Sequence, residues 1–413
     1  MGLALRLQAE GHSVKLKIFD SHFEHQGKGL VDLCGEYEFG QTVIADVTDY
    51  GPLLDKFRDE GAKIFAGGVY ADKLEKDRTL AKEVMDEAGI LTPEAKSAGS
   101  WEDAARLVKE FGEISERIVI KPEGSLSGVV PSYCAKSVED GLAMLEQFRG
   151  EHPQSEIDIT IQEFIEGVAV STEGWFFGKD WSEGMFNHTI ERKHFLNDDL
   201  GPSGGCTGNV VWKCDSSDPL VTETLLKLTD EFRKHLYVGP IDINCIVNKE
   251  GVYGLEFTPR FGYDAFPTLL YTLCDFDFGR FVDCASRFVD SGDSLNEGFG
   301  AGVRLSVPPW PNEKHRHDGN VQIRGLDDVE DRKLFYPFGV GFSDDKLHTT
   351  HGAGIVGVAN GFGSTIGKAF NRAYELVKKI QVPELQYRTD LAKQFTKDFE
   401  ELESLVSGEV IAS

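Results

Sequence analysis

The sequence has no run of apolar residues close to the ~20 that a membrane-spanning helix needs. Its first residues also lack the pattern of a secretory signal peptide. The 7 cysteines lie scattered from Cys34 to Cys284 and include no CxxC pair. An odd, unpaired set of this kind predicts neither a disulfide framework nor a zinc site. We therefore expect a soluble cytoplasmic protein whose thiols are reduced.

Positive charge is also scarce. The chain has 43 lysines and arginines against 69 aspartates and glutamates, a formal net charge of −26. Such a surface repels the phosphates of nucleic acids and of anionic membranes. We expect neither as a partner, so a phosphate-bearing ligand must bind in a local basic pocket.

The length and the glycine content are informative. A chain of 413 residues is too long for one compact core, so two to four domains are expected. Many of its 45 glycines fall in short, distinct loops. This distribution favours an enzyme with tight turns near its ligands over a protein with long linkers.

The first segment alternates helical and extended patterns, which predicts a doubly wound α/β domain. Helices are expected at residues 3–9 and 52–60, and strands at 14–19, 42–45 and 63–65. Such folds normally open with a strand and a glycine-rich turn, but here a helix comes first. Either the unit is incomplete or its start lies upstream, and we expect the apolar face at Leu3 and Leu7 to be poorly covered.

Further along, the spacing predicts more elements. Helices are expected at residues 77–88, 221–236 and 364–380, strands at 117–120 and 159–164, and a hairpin of strands 241–247 and 251–257 joined at 248–250. The stretch 197–208 is polar and rich in glycine, and residues 300–358 suggest short strands and turns. No internal repeat is present.

One candidate site is a strand that ends in Lys121 and enters a small-residue loop with Gly124 and Ser125. A lysine in this position can place its ammonium on a phosphate while the loop amides hold neighbouring phosphates. A strand-ending lysine is more often a solvated residue. Taken alone, this motif has less than even odds of binding phosphate.

A second candidate begins at Gln162 and Glu163 and continues through Ile165 and Glu166. An extended segment beside a cavity offers backbone groups to an adenine edge, and a nearby carboxylate can accept hydrogen bonds from ribose hydroxyls. The alternative is an ordinary edge strand with acidic residues.

A third candidate is the strand that carries Glu256 and Thr258 and is followed by Arg260. These positions alternate onto one face, and Asn244 lies on the partner strand. Hard oxygen ligands suit Mg²⁺, which shares them with phosphates, and the arginine can stabilise a transferred phosphoryl group. The alternative is an exposed strand with a salt bridge.

In this order the three motifs resemble the ATP-grasp superfamily, and within it the phosphoribosylamine–glycine ligase family. The resemblance runs from the turn at residues 89–93 to Tyr387-Arg388-Thr389-Asp390, which is similar to the closing YRxD of that family. Residues 191–194 and 199–208 resemble its DHKR…DGDxGPNTGGMG loop. Residues 255–262, LEFTPRFG, are similar to its LEFNVRFGDPE and are the most specific match.

The resemblance implies a domain organisation. It predicts an N-terminal doubly wound domain at residues 1–75, an ATP-grasp domain at 76–298 with a smaller lobe at about 115–185, a small β-rich domain at 299–395, and an acidic tail at 396–413. The class is thus α/β and α+β, in several domains.

The resemblance also implies a ligase in purine biosynthesis that uses ATP and Mg²⁺ or Mn²⁺ to join an amino acid such as glycine to an amine such as phosphoribosylamine. The ATP-binding residues implied are Arg78, Lys121, Gly124, Ser125, Gln162, Glu163, Ile165, Glu166 and Lys193. Those implied for the substrate are Asp199, Gly201, Pro202, Ser203, Gly205 and Gly208. Glu256, Thr258 and Asn244 are the implied metal ligands, and Arg260 is the implied catalytic residue.

The sequence departs from the family pattern at several positions. The phosphate loop lacks a second lysine between residues 128 and 129, and the GEE after the second motif is Gly167-Val168-Ala169. Thr258 replaces the metal-binding asparagine. Two alternatives therefore stay open: an ATP-grasp ligase with a different amine or acid, and a catalytically inactive nucleotide-binding relative.

Overall fold

The computed structural model of the protein describes residues 1–19, 23, 25–35, 37, 40–123, 126, 132–153, 157–312 and 315–407. Within these ranges, short strands and helices alternate at first, and long antiparallel strands dominate later. None of the helices in these ranges combines the length and the apolar character required to cross a membrane.

Among the described residues up to residue 76, the structure has two parallel strand pairs and three α-helices. The elements are α1 (Gly2–Ala9), β1 (Lys15–Leu16), β2 (Asp32–Leu33), β3 (Thr42–Ile44), α2 (Gly51–Asp59), β4 (Lys63–Phe65) and α3 (Gly68–Lys76). β1 pairs with β2 and β3 pairs with β4, both in parallel. Leu3 and Leu7 of α1 are buried in a cluster that includes Phe65 and Trp175. The expectation that this face is poorly covered is therefore wrong.

A small four-stranded sheet follows, in the order β5-β8-β6-β7. Its elements and neighbours are α4 (Arg78–Glu87), β5 (Ala95–Ala98), α5 (Trp101–Phe111), β6 (Ile118–Pro122), β7 (Tyr133–Ala135), α6 (Val138–Glu151) and β8 (Ile159–Glu163). The hydroxyls of Ser100 and Ser137 cap α5 and α6, and these helices pack on the sheet through an apolar cluster. The polar side chains of Lys121, Thr160 and Gln162 line a cleft beside α4.

The largest element is an antiparallel sheet of eight strands in the order β13-β12-β9-β10-β11-β14-β19-β16. These are β9 (Val168–Phe177), β10 (Phe186–His194), β11 (Ser203–Cys214), β12 (Val238–Asn248), β13 (Gly251–Thr258), β14 (Phe299–Ser306), β16 (Phe335–Pro337) and β19 (Ile355–Gly363). β11 pairs with β14, so strands after residue 298 extend the sheet that begins at residue 168. One sheet thus carries residues from both sides of the predicted boundary.

The remaining helices cover this sheet or follow it. They are α7 (Pro219–Glu223), α8 (Thr229–Lys234), α9 (Ala265–Thr272), α10 (Phe278–Ala285), α11 (Val329–Leu334), α12 (Ile366–Lys379) and α13 (Leu391–Ser407). A three-stranded sheet has the order β15-β18-β17, with β15 (Gln322–Ile323), β17 (Val340–Ser343) and β18 (Lys346–Thr349). α13 contains the described part of the acidic tail, where Asp398 forms an ion pair with Arg192 of β10.

Most predicted elements are confirmed, as is the multidomain α/β and α+β class. The helices predicted at residues 3–9, 52–60, 77–88 and 364–380 correspond to α1, α2, α4 and α12. The predicted hairpin is formed by β12 and β13, which pair in the antiparallel sense around residues 249 and 250.

Three predictions about elements are wrong. The helix at 221–236 is interrupted because Thr224 adopts φ −126° and ψ −86°, with a 3-10 turn at Leu225–Leu228 between α7 and α8. The strand at 14–19 is only Lys15–Leu16. Residues 203–208, expected to be irregular, open the long strand β11. In addition, the small sheet ends at Glu163, and residues 168–177, placed in the smaller lobe, pair in the large sheet.

Candidate functional site

A cleft of about 190 Å³ lies between α4, the small sheet and β13. Its lining mixes basic, acidic and small polar residues: Arg78, Thr79, Lys82, Glu83, Met85, Asp86, Thr92, Pro93, Ala95, Ser97, Lys121, Glu123, Thr160, Gln162, Gly254 and Leu255. Concave sites with a few convergent charged groups are the usual binding sites of small ligands. Two of the predicted motifs and Arg78 meet at this cleft.

Two cations face the cleft without counter-ions. Lys121 ends β6, and among the described residues its ammonium has no hydrogen bond or ion pair. Arg78 is the first residue of α4, after the cap Asp77, and its buried Nη1 has no partner in the same part of the chain. A cation at a helix N-terminus is electrostatically unfavourable, so this placement is not explained by helix stability. Burial lowers the pKa of Lys121 and Arg78 lowers it further, against the opposing effect of Glu256. An anion in the cleft would relieve both charges.

β13, whose Gly254 and Leu255 line the cleft, also carries oxygen-bearing side chains on a face that it shares with β12. Asn244 is directly opposite Glu256, and Asp242 is directly opposite Thr258. Residues two apart on a strand share a face, so these four oxygen-bearing side chains form one patch. The Asn244 amide donates to the carboxylate of Asp242 and to the hydroxyl of Thr258, both at 3.2 Å, and its Oδ1 accepts from Ser171 at 2.9 Å. Glu256 is solvent-exposed and has no ion pair among the described residues.

The carboxylate patch continues onto β9. Glu173 is directly opposite Asp242, and both are buried. Burial raises the pKa of Glu173 to about 7, although Trp175 Nε1 donates to it at 2.9 Å and acts against the shift. Burial also raises the pKa of Asp242 well above its ordinary value, and the neighbouring Glu173 and Glu191 add to this effect. Both shifts arise first from burial, which disfavours the charged form of these two carboxylates.

Lys193, near the end of β10, balances part of this charge. The surrounding protein desolvates its ammonium, which acts to lower the pKa, but Glu256 and Glu191 attract the proton more strongly and the pKa is raised. Glu256 also acts on Lys121, which belongs to the small sheet. The exposed carboxylate of Glu256 therefore acts on one lysine from each sheet.

The structure places the second motif at the junction of the two sheets. Gln162 is buried and lines the cleft. Glu163 Oε1 accepts from the backbone N–H of Glu94 at 2.7 Å, so this carboxylate is engaged at β5. Ile165 is half-buried and Glu166 is exposed in the short link to β9. Gly124 and Ser125, predicted to contact phosphates, lie outside the described residues.

Arg260 follows β13 and contacts α3, which belongs to the predicted N-terminal unit of residues 1–75 (the first unit). Its Nε and Nη2 donate to Oε1 of Glu75 in α3 at 3.1 and 2.8 Å, and its Nη1 donates to the carbonyl of Phe261 at 2.9 Å. The guanidinium carbon lies 4.0 Å from the ring centroid of Tyr263. Arg260 therefore sits where the first unit meets the metal-ligand candidates.

The predicted substrate residues occupy a turn and the start of β11. Asp199 lies in a 3-10 turn at Asn197–Asp199 with φ +56°, Gly201 and Pro202 follow the turn, and Ser203, Gly205 and Gly208 belong to β11. The Asp199 carboxylate forms an ion pair with the buried Arg388. Gly205 has φ +83°, which favours glycine, and a Cβ at Gly208 would lie 2.3 Å from Leu391.

Sequence reasoning missed several residues of this site. Asp242 could have been found, because it alternates with Asn244 on one strand. Glu75 gave no local signal, because its partner lies on another element. Arg388 was marked by the YRTD motif, but its pairing with Asp199 was not predicted. Glu173 stood only as an alternative to Glu166 for the carboxylate that meets the ribose. Arg304 and Asp264 were also missed: they form a buried pair at 2.5 and 2.8 Å, and Arg304 holds the carbonyl of Gly204 at 3.0 Å.

Comparison with known sequences agrees with the resemblance predicted from the motifs. Residues 76–265 match the model of the family described as phosphoribosylglycinamide synthetase, ATP-grasp (A) domain. A phosphoribosylamine–glycine ligase from Clostridium acetobutylicum is 24% identical over 381 residues, which are 86% of each chain. One from Leifsonia xyli is 26% identical over 364 residues, 82% of this chain and 81% of the relative. The predicted resemblance is confirmed.

Solved structures show the same fold. The phosphoribosylamine–glycine ligase of Thermotoga maritima superposes with a TM-score of 0.72 at 20% identity, covering 94% of this chain and 96% of that one. The biotin carboxylase domain of the Hydrogenobacter thermophilus 2-oxoglutarate carboxylase gives a TM-score of 0.62 at 11% identity, covering 98% and 96%. At these identities the likeness establishes the fold.

Proposed function

We propose that this chain is an ATP-dependent carboxylate–amine ligase of the ATP-grasp superfamily, with phosphoribosylamine–glycine ligase as its activity. The matched family model and the relatives named for that activity support the assignment. One structural observation carries the ATP half of it. Lys121 and Arg78, cations without partners among the described residues, line one cleft, and Glu256, which lies opposite Asn244, acts electrostatically on Lys121.

The cleft suits a nucleotide triphosphate and a divalent cation. Lys121 and Arg78 supply the positive charge that phosphates need, in a protein that is otherwise strongly acidic. Glu256 offers an exposed carboxylate beside the Asn244 amide and the Thr258 hydroxyl, a donor set that fits Mg²⁺ or Mn²⁺. These three residues would hold the cation, which when bound would neutralise charge on the β- and γ-phosphates.

We assign the other roles as the resemblance implies them. Gln162, Glu163 and Ile165 frame the adenine with their backbone groups, and Glu166 lies near the ribose. Gly124 and Ser125 contact the phosphates through their amides, and Lys193 reaches them from the large sheet. Asp199, Gly201, Pro202, Ser203, Gly205 and Gly208 shape the binding site of the amino acid and the amine.

The reaction has two steps. A carboxylate oxygen of the acid attacks the γ-phosphorus, which forms an acyl phosphate and releases ADP. The amine nitrogen then attacks the acyl carbon, the bond to phosphate breaks, and the nitrogen loses a proton. Arg260 stabilises the negative charge on the transferred phosphoryl group and the carboxylate in the first step.

We also propose the organisation and the cellular setting of the protein. The units are residues 1–75, 76–298 with a smaller lobe at about 115–185, 299–395, and the tail 396–413. The protein acts in the cytoplasm on small molecules, without nucleic acid or membrane partners.

A substrate panel tests the function. ADP release is measured with ATP, Mg²⁺ and glycine or other amino acids, with and without phosphoribosylamine, and with Arg260→Lys as a control. We expect ADP in excess of one equivalent per enzyme only when acid and amine are both present, and we expect this turnover to be about 10²–10³-fold slower in the variant, the usual effect of losing one transition-state donor. If ADP is released only with a different acid and amine, those compounds are the substrates in place of glycine and phosphoribosylamine. If the folded protein releases no ADP with any pair, it is not a ligase.

A further inference from the structure

The ion pair between Arg260 and Glu75 joins the proposed site to the first unit of the chain, and no role has yet been given to Glu75. Arg260 and Glu75 are 185 residues apart in sequence. Their side chains are only 12% and 22% exposed, so the pair is largely shielded from water. Both the Nε and the Nη2 of Arg260 donate to the same oxygen, Oε1 of Glu75.

The remaining hydrogen bonds fix the guanidinium in one orientation. A guanidinium has five N–H groups. Glu75 accepts from Nε and from one N–H of Nη2, and the carbonyl of Phe261 accepts from one N–H of Nη1. One N–H is therefore left on each terminal nitrogen. The ring of Tyr263 supports the guanidinium from one face, at 4.0 Å.

The two free N–H groups can together receive an anion. Parallel donation from two nitrogens to two oxygens is the geometry in which arginine binds carboxylates and phosphates. This orientation depends on Glu75, because Glu75 holds the adjacent edge of the guanidinium, formed by Nε and Nη2. Without it, the side chain could rotate and turn its free N–H groups elsewhere.

Glu75 also has an unusual environment. Its second oxygen, Oε2, is buried and has no hydrogen-bond partner among the described residues. Buried polar atoms are normally paired, so an unpaired carboxylate oxygen indicates a residue kept for something other than stability. Three residues later, Arg78 faces the nucleotide cleft. The corner between α3 and α4 thus reaches both the cleft and Arg260.

We propose that Glu75 is a positioning residue: it holds the guanidinium of Arg260 so that two N–H groups face the carboxylate and the γ-phosphoryl group at the moment of transfer. This inference rests on the proposed function. It gives the first unit a role in the phosphoryl-transfer step in addition to any role in binding the amine.

The kinetic test uses Glu75→Gln, which keeps the size of the side chain and removes its charge. Glu87→Gln on α4 is the matched control, because Glu87 is exposed and has no ion pair among the described residues. We expect Glu75→Gln to lower kcat at least 10-fold and to leave the Kd of ATP within 2-fold, with Glu87→Gln unchanged. In an Arg260→Lys background, Glu75→Gln should lower kcat less than 2-fold further. An equal loss of kcat in both backgrounds, or a normal kcat in Glu75→Gln, would overturn the proposal.

A second measurement does not depend on turnover. In deuterated protein with ¹⁵N-labelled arginine, the Nε–H signal of Arg260 is identified by its absence from Arg260→Lys. We expect this signal to shift and broaden in Glu75→Gln and to be unaffected in Glu87→Gln. An unchanged signal in Glu75→Gln means that Glu75 does not position Arg260. If the unmodified protein releases no ADP with any substrate, the proposed function fails, and the NMR result still decides whether Glu75 holds the guanidinium.

Discussion

Arg388 forms an ion pair with Asp199, which lies 189 residues earlier in the sequence. The guanidinium is almost fully buried, and its other N–H groups donate to both oxygens of Asp390, to the carbonyl of His194 and to Gln394. All five donors are thus used. Next to this pair, the backbone N–H of Asp198 donates to Asp390 at 2.9 Å. The YRTD motif therefore fastens the turn that leads into the predicted substrate residues.

Replacing Arg388 by methionine should loosen this turn. The carboxylates of Asp199 and Asp390 would lose their partner, and breaking a buried pair costs about 3–5 kcal/mol. We expect the free energy of unfolding to fall by an amount near the lower limit, because Asp199 is partly exposed. The KM of the acid or the amine should rise, and the Kd of ATP should not change.

Urea unfolding and steady-state kinetics measure both effects. Arg106→Met, on the exposed surface of α5, is the control and should match the unmodified protein. A normal KM in a destabilised Arg388→Met would mean that the turn does not shape the substrate site.

Replacing Lys121 by methionine should weaken ATP binding. The ammonium has no protein partner among the described residues, so the variant leaves no protein charge without its counter-ion. A hydrogen bond to a charged group contributes about 1.5–3 kcal/mol, which corresponds to about 10–150-fold in Kd. Titration calorimetry with ATP and Mg²⁺ measures the change, and Lys249→Met in the exposed hairpin turn is the control. Equal affinities in the two variants would remove Lys121 from the nucleotide site.

Replacing Glu256 by glutamine should make turnover depend more steeply on Mg²⁺. The amide keeps one oxygen and loses the charge, so it is a weaker ligand of a hard cation. We expect weaker ATP binding and slower turnover, each partly restored at high Mg²⁺. Glu250→Gln, in the nearby hairpin turn, should show the unmodified Mg²⁺ dependence. If Mg²⁺ restores nothing in Glu256→Gln, the carboxylate is not a metal ligand.

The elements that the sequence predicts well are those whose signal is local. The hairpin of β12 and β13 is marked by Asn248-Lys249-Glu250, and α4 is preceded by Asp77, whose side chain caps it. The motif around Lys121 and that around Glu256 each lie on one strand, and the prediction that they share a site rests on the resemblance of their order to the ATP-grasp superfamily.

Contacts between distant elements could not be predicted in this way. The pairs Arg388–Asp199 and Arg260–Glu75 join segments that no periodicity connects. The broken helix after α7 was missed for a related reason. Its apolar spacing is helical, but Thr224 leaves the helical conformation, which the pattern of side chains does not record. Tertiary packing determines which distant side chains meet and where a helix is interrupted, and local sequence patterns do not record it.

The pKa of Glu173 predicts a pH dependence of stability. Glu173 is buried on β9 opposite Asp242, and burial raises its pKa to about 7 in the folded protein, against about 4.3 in the unfolded chain. The folded state therefore binds the proton more tightly. The stabilisation is fully present below the unfolded pKa, falls as the pH rises toward 7, and is lost above that value. At 1.36 kcal/mol per pH unit, the total is about 4 kcal/mol, of which about 3 kcal/mol is lost between pH 4.5 and 8.

Glu173→Gln removes this titration while its amide oxygen can still accept from Trp175. We expect the variant to match the unmodified protein near pH 4.5 and to be about 3 kcal/mol more stable at pH 8. The variant also removes the repulsion between the Glu173 and Asp242 carboxylates, which further stabilises it at high pH. Urea unfolding from pH 4.5 to 8, without nucleotide or divalent cations, gives the two profiles. Glu183→Gln, at an exposed turn, should run parallel to the unmodified protein. A stability difference between Glu173→Gln and the unmodified protein that is constant across this range would show that Glu173 is ionised in the folded state throughout.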